Sequence, residues 1–203
     1  MGFMGQLPAT SYGCRFGTVQ NAHTTHQPPY LVLIRLHALT PKDWPTYRHI
    51  RLAALRDAPD AFGATYADEA KRTDASWQQQ LLDIIGQPNI AAAWLAWQQD
   101  AACGLAWCAL DGADARTAHL YQMWVQPSAR HVETGSVLLQ TAMDWAKAQK
   151  AAVMELGVNT QNAPAIRFYE RHGFAATGDI APLRAGSDQQ IQTMRLQFLA
   201  RNC

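Results

Sequence analysis

The chain has 203 residues, 48% of them apolar and 16% charged, a globular balance long enough for one domain with a buried core. Seventeen basic and sixteen acidic side chains leave a net charge of +1 with no block of like charge, which argues against nucleic acid as a partner. No apolar run reaches the roughly 18 residues of a membrane-spanning helix, and "MGFMGQLPATSYG" lacks the basic start and long apolar stretch of a secretory signal, so a cytoplasmic protein without a membrane partner is expected.

Residues 1–29, rich in Thr, Gln, Gly, His and Pro, show neither a helical nor a strand period. They read as a flexible tail or an overextended start, with the domain at 30–203. Within this stretch His23 and His26 of "HTTH" have metal-ligand spacing but no third ligand nearby, which favours a solvated loop pair. Cys14, Cys103, Cys108 and Cys203 match no zinc pattern and are expected as free thiols; no metal is expected. Order begins with a strand over Tyr30 to Leu36. Thr40 as N-cap, Pro41 in the first helical position and Asp43 in the first turn open a helix carrying Trp44, Tyr47 and Leu55. "DAPDAFG" stops it at Pro59 and Gly63.

A second helix is expected from Asp74 to about Ile85, with Trp77, Leu81, Leu82 and Ile85 on one side. The runs Ile90–Gln98 and Cys103–Asp111, separated by "QDAA", predict a hairpin, and Arg116–Val125 continues it as a meander. A helix follows over roughly Gly135 to Lys150 with Leu138, Ala142 and Trp145 on one stripe. Then come a short buried strand at Ala152–Val158, a helix in "NAPAIRFYERHGF" ended by Gly173, and an alternating run Ile191–Leu199 that closes the sheet. The pattern is one mixed α/β domain.

Two segments carry a resemblance. The stretch "VQPSARHVETGSVLL" (Val125 to Leu139) places Val125, Pro127, Arg130, Gly135, Leu138 and Leu139 in the outline of V-x-P-x-x-R/Q-G-x-G-x-G/A. Asn162, Ala165, Tyr169, Gly173 and Phe174 fit N-x-x-A-x-x-x-Y-x-x-x-G-F. In this order, with a strand between them, the segments resemble the GNAT family of N-acetyltransferases. "RLAALRDAPDAFG" and "PLRAGS" add a subfamily-level echo. The resemblance covers about Ile34 to Leu199. It implies a mixed α/β fold: a central, mostly antiparallel sheet splayed at the cofactor site and flanked by helices.

The same resemblance implies acetyl transfer from acetyl-CoA to an amine of a small molecule or protein, with a homodimer left open. Met123, Trp124 and Val125 would pair with the pantetheine arm like an added strand, and a backbone N–H near Val125 would meet the oxyanion. Arg130, His131, Val132, Glu133, Thr134, Gly135 and Ser136 would form the phosphate loop, although His131 and Glu133 stand where the family prefers glycine. Asn162 would bond the cofactor or hold its helix start. Tyr169, two helical turns on, would be the general acid, unless it only packs the core. The base stays open among His119, Gln122, Asp60, Glu69 and a water relay. Trp94, Trp97, Trp107, Tyr121 and Trp124 could wall an acceptor pocket or fill the core. The alternative function is a degenerate domain that binds without catalysis.

Overall fold

The computed structural model describes residues 33–130 and 133–198. The expected tail with Cys14, His23 and His26, the loop residues His131 and Val132, and Cys203 lie outside the described residues. The described residues fall in a single compact unit, Val32–Cys203.

Strand β1 (Ile34–Ala38) leads into helix α1 (Trp44–Asp57) through a 3-10 turn at Pro41–Asp43. The start is fixed locally. The Asp43 carboxylate accepts the Thr40 backbone N–H at 2.7 Å and the Thr40 hydroxyl at 2.6 Å, satisfying groups the first turn leaves free. Helix α1 buries Tyr47, Ile50, Arg51, Ala54 and Leu55, an i, i+3, i+4, i+7, i+8 stripe in which one position is an arginine. A four-residue helix α2 (Tyr66–Glu69), too short for a periodic signal, was not expected. Helix α3 (Asp74–Ile85) spans the expected residues, with the Thr73 side chain accepting the Ser76 N–H. Its stripe is corrected, however: Trp77, Leu81 and Ile84 are buried, while Leu82 is among the exposed apolar residues.

Strands β2 (Ala91–Gln98), β3 (Ala101–Leu110) and β4 (Thr117–Val125) form the expected antiparallel meander. After β4 come helix α4 (Thr134–Ala148), strand β5 (Val153–Asn159) and helix α5 (Ala163–Arg171). The last two strands are β6 (Ala175–Pro182) and β7 (Gln190–Gln197). The sheet order is β1-β2-β3-β4-β5-β7-β6, with β4 and β5 the parallel pair. The final run therefore does not sit at the edge: β7 inserts beside β5, and the unexpected β6 takes the edge. Strand β6 is exposed throughout and interrupted by Gly178 at φ 91°, so it carries no alternating apolar signal.

Helices α1 and α3 cover one face of the β1–β4 half, burying Trp77, Leu95, Leu105 and Trp124. Helix α4 covers the other face, burying Leu138, Leu139 and Ala142 against Ala106, Cys108 and Met154. In α4, Trp145 lies beside the buried stripe and meets Trp94 edge-on at 6.3 Å.

Candidate active site

Strands β4 and β5 pair only from Thr117↔Val153 to Leu120↔Leu156. Beyond Leu120, β4 keeps its β3 partner and β5 its β7 partner, and the two diverge. A bulge drives the divergence. The β3–β4 register shifts between Leu105 and Trp107, where Gln122 adopts φ 51°, a left-handed backbone costly for a side chain of this size. The Gln122 side chain is anchored, its Oε1 accepting the Tyr47 hydroxyl at 3.0 Å. The Gln126 N–H donates to Cys103 O at 2.8 Å on the β3 side. By strand alternation the Val125 and Met123 amides face the other way, into the gap.

The gap opens into a cleft of about 380 Å³ whose walls include Met123, Gly157, Asn162 and Tyr169. Helix α5 carries two of these. The Asn162 Oδ1 accepts the Ala165 N–H at 3.1 Å, so this side chain holds the helix start. Seven residues later Tyr169 packs edge-on against Phe168 and Phe174, at 5.3 and 5.8 Å between ring centroids. Gly173, at φ 89°, turns the chain so that the Phe174 N–H reaches Tyr169 O at 3.1 Å. Part of the Tyr169 ring borders the open cleft, yet burial pushes its phenol well above the ordinary tyrosine range.

Below the cleft, the α4 N-terminus follows β4. Glu133 is exposed and makes no side-chain cap, while Thr134 is fully buried with its hydroxyl unpartnered. Gly135 lies against Phe168: an added Cβ would stand 3.4 Å from that ring. Ser136 lies in the first turn, partly buried. Arg130 is tied rather than free. Its Nε donates to Val125 O at 2.9 Å and its guanidinium pairs with Asp57, which also accepts the Trp124 indole N–H at 2.9 Å. Asp57 thus joins the end of α1 to the end of β4. Asp57→Ala is expected to cost about 1–3 kcal/mol, since it strands the indole donor and frees Arg130; a urea midpoint unchanged from wild type would remove this brace.

Residues 44–174 match the family model described as the acetyltransferase (GNAT) family. The chain belongs to the GNAT acetyltransferase family. A mycothiol acetyltransferase from Brachybacterium faecium is 26% identical over 139 residues, 67% of this chain and 39% of that protein. The chain therefore spans well under half of that relative's length. Among solved structures, an acetyltransferase of the GNAT family from Streptococcus pneumoniae matches with a TM-score of 0.68 at 20% identity, covering 82% of this chain and 100% of that one. The yncA protein from Salmonella typhimurium, solved with its cofactor acetyl-CoA, gives 0.66 at 18% identity, covering 84% and 99%. At these identities both likenesses speak for the fold.

In this GNAT domain Gln122 lines the cleft, while the titratable candidates His119, Asp60 and Glu69 stand apart from its walls. His119 reaches Asp111 at 3.1 Å and lies 4.0 Å from Glu155, which accepts from Arg195 Nε at 2.6 Å. These four side chains make a polar row across β4, β5 and β7. Backbone N–H groups of Ala113 and Asp114, then His119, hold the Asp111 carboxyl below its usual range. Glu69 is buried and paired with Arg72 at 3.3 Å. Asp60 borders a neighbouring shallow groove of about 370 Å³ together with Asn162.

The aromatics divide. Trp94 and Trp124 are buried, and Trp97 carries Arg35 over its ring at 5.5 Å. Trp107 and Tyr121, 4.6 Å apart, border the cleft. The two segments of the subfamily echo meet here: Arg184 donates to Phe62 O at 3.2 Å, and Asn159 donates to Asp60 O at 2.8 Å, pinning the loop after α1 beside the cleft. Sequence reasoning missed Arg51 and Asn159. Arg51 had a signal, a charge at a stripe position of an amphipathic helix; Asn159, at a strand end, had none.

Proposed function

We propose that the chain transfers an acetyl group from acetyl-CoA to an amine of a small molecule or protein by direct attack. The observation that carries this reading is the edge of β4 beyond Leu120, which β5 leaves unpaired and whose Met123 lines the same cleft as Tyr169. An exposed strand edge can take an extended ligand as an added strand, and the Met123–Val125 edge offers that to the amide-bearing pantetheine arm. The first turn of α4, from Glu133 through Ser136, offers backbone N–H groups and a partial positive charge to the phosphates. Arg130 contributes from its ion pair, at the margin of that loop.

Acetyl-CoA supplies an acetyl group activated as a thioester. The chain's residues do the rest. The Val125 amide, fixed by the strand, donates to the acetyl oxygen as negative charge gathers there. Tyr169 keeps its proton at Oη, because burial holds the phenol neutral, and gives it to the departing sulfur. Asn162 keeps α5 in register so that Tyr169 stays aimed at the cleft. Among the described residues no carboxylate or histidine lines the cleft, so the amine sheds its proton to water. The domain occupies 30–203, and the setting is cytoplasmic; among the described residues no helix is long and apolar enough to cross a membrane.

The test is thiol release from acetyl-CoA against a panel of amines, with calorimetric titration of acetyl-CoA alongside. Failure of every amine to release thiol, together with no measurable acetyl-CoA binding, would end the proposal. A sharper result is expected at the loop. Glu133 is exposed beside the proposed phosphate site, and a negative charge about 4 Å from a phosphate costs about 1 kcal/mol in water. Glu133→Gly should therefore bind acetyl-CoA about fivefold tighter at low salt, with the gain shrinking beyond ~0.15 M. Equal affinities at two ionic strengths would place this carboxylate away from the phosphates.

A further inference from the structure

Arg51 occupies a stripe position of α1, between Ile50 and Ala54, where packing calls for an apolar side chain. It is 4% exposed. Its guanidinium lies 4.7 Å from the centroid of the Phe62 ring, and Nε and Nη1 are buried with no hydrogen-bond partner. The buried carboxylate that acts on it, Glu69, is already paired with Arg72. Buried donors are normally satisfied, and a buried cation left uncompensated is strongly unfavourable. Arg51 borders the cleft, and so does Trp107, whose indole N–H is also buried and unpartnered. Guanidinium and indole can only donate. Arg51 is also the single formally charged side chain among the described residues lining the cleft. An amine arrives as a cation, so a cleft whose one charge is positive repels a simple amine.

We propose that the cleft binds a carboxylate carried by the acceptor itself, held by Arg51 and Trp107, so that the acceptor class is a small amino acid rather than a simple amine or a peptide terminus. One guanidinium balances one carboxylate, and the anion offsets the charge of the ammonium before it loses its proton. A cleft of about 380 Å³ lies within the size range of small-molecule sites. The inference rests on the acetyl-transfer reading for its chemistry, but anion binding can be measured without transfer.

The experiment compares L-amino acids with their α-carboxamides, with rates taken per neutral amine because loss of the carboxylate also makes the α-amine less basic. Wild type should favour the acid in kcat/KM by about 10- to 100-fold, the range for a hydrogen bond to a charged group. Arg51→Met should lose that preference chiefly through KM, with acetyl-CoA affinity unchanged; Trp107→Phe, which keeps the ring, should lose part of it. Equal rates on acid and amide by wild type would overturn the proposal whether or not the variants fold. So would a tenfold weaker acetyl-CoA affinity in Arg51→Met, which would give the guanidinium to the cosubstrate. If no amine releases thiol, the transfer reading fails separately. The thermal midpoint then decides the anion site: a rise with the acids and not the amides, lost in Arg51→Met, supports it, and no difference between them overturns it.

Discussion

Tyr169→Phe is expected to lower turnover by about 10²–10⁴, the usual contribution of a positioned general acid, while acetyl-CoA affinity stays near wild type. The substitution removes one oxygen and keeps the ring that packs between Phe168 and Phe174, so the urea midpoint should barely move. The raised phenol pKa adds a pH signature. A tyrosine pKa is ordinarily near 10, and burial moves this one upward. The acid form therefore persists through the alkaline range in which more of an amine acceptor becomes neutral. Turnover should rise with pH and show no loss attributable to Tyr169 below about pH 10. Unchanged turnover in Tyr169→Phe, measured where chemistry limits the rate, would leave this residue a packing role alone.

Leu138→Ala is expected to destabilise the domain by about 2–5 kcal/mol, as for other fully buried leucines. Leu138 is completely buried at the junction of α4 with β3. Its partner there is Gly104, where an added Cβ would stand 2.9 Å from Leu138 Cδ1 and 3.1 Å from Trp124 O. Gly104→Ala alone should therefore cost about 1–3 kcal/mol by overpacking. In the double variant the new methyl enters space that Leu138 vacates, so its cost should fall short of the sum by about 1 kcal/mol. Because Gly104 pairs with Val125, the Gly104→Ala strain should also reach the proposed oxyanion donor and lower turnover. Strictly additive unfolding energies from urea titration would show that the two side chains do not share this space.

Local chemistry was legible in the sequence. The Thr40–Asp43 cap, the helix stop at Gly173, the β2–β3 hairpin and the α3 span each depend on residues close to one another in the chain. Val125 and Tyr169 could be named together because the segments bearing them follow a family pattern. What brings the β4 edge at Met123, two residues before Val125, to the cleft that Tyr169 borders is a bulge at Gln122 and a tyrosine 75 positions earlier that anchors it. No local pattern announces such a bulge.

Three decisions belonged to the tertiary structure. Arg130 looks like a free cation in sequence, but Asp57, 73 positions away, claims it. His119 is an open candidate base in sequence; it pairs with Asp111, just past the end of β3, lies 4.0 Å from Glu155, and is not among the residues lining the cleft. Strand β6 had no apolar period because an edge strand with both faces exposed needs none. The reason is common to all three. Caps, turns and periodicity are set by short-range hydrogen bonds and burial, whereas which face a side chain lies on, which edge a strand takes and which partner Arg130 finds 73 positions away are chosen by how the packed layers come together. The sequence by itself determined the longer helices and strands, their order and the family resemblance, but neither α2 nor β6. Only the tertiary structure decided that β7 inserts beside β5, and that Arg184 reaches Phe62, 122 positions away, to set the wall beside Arg51.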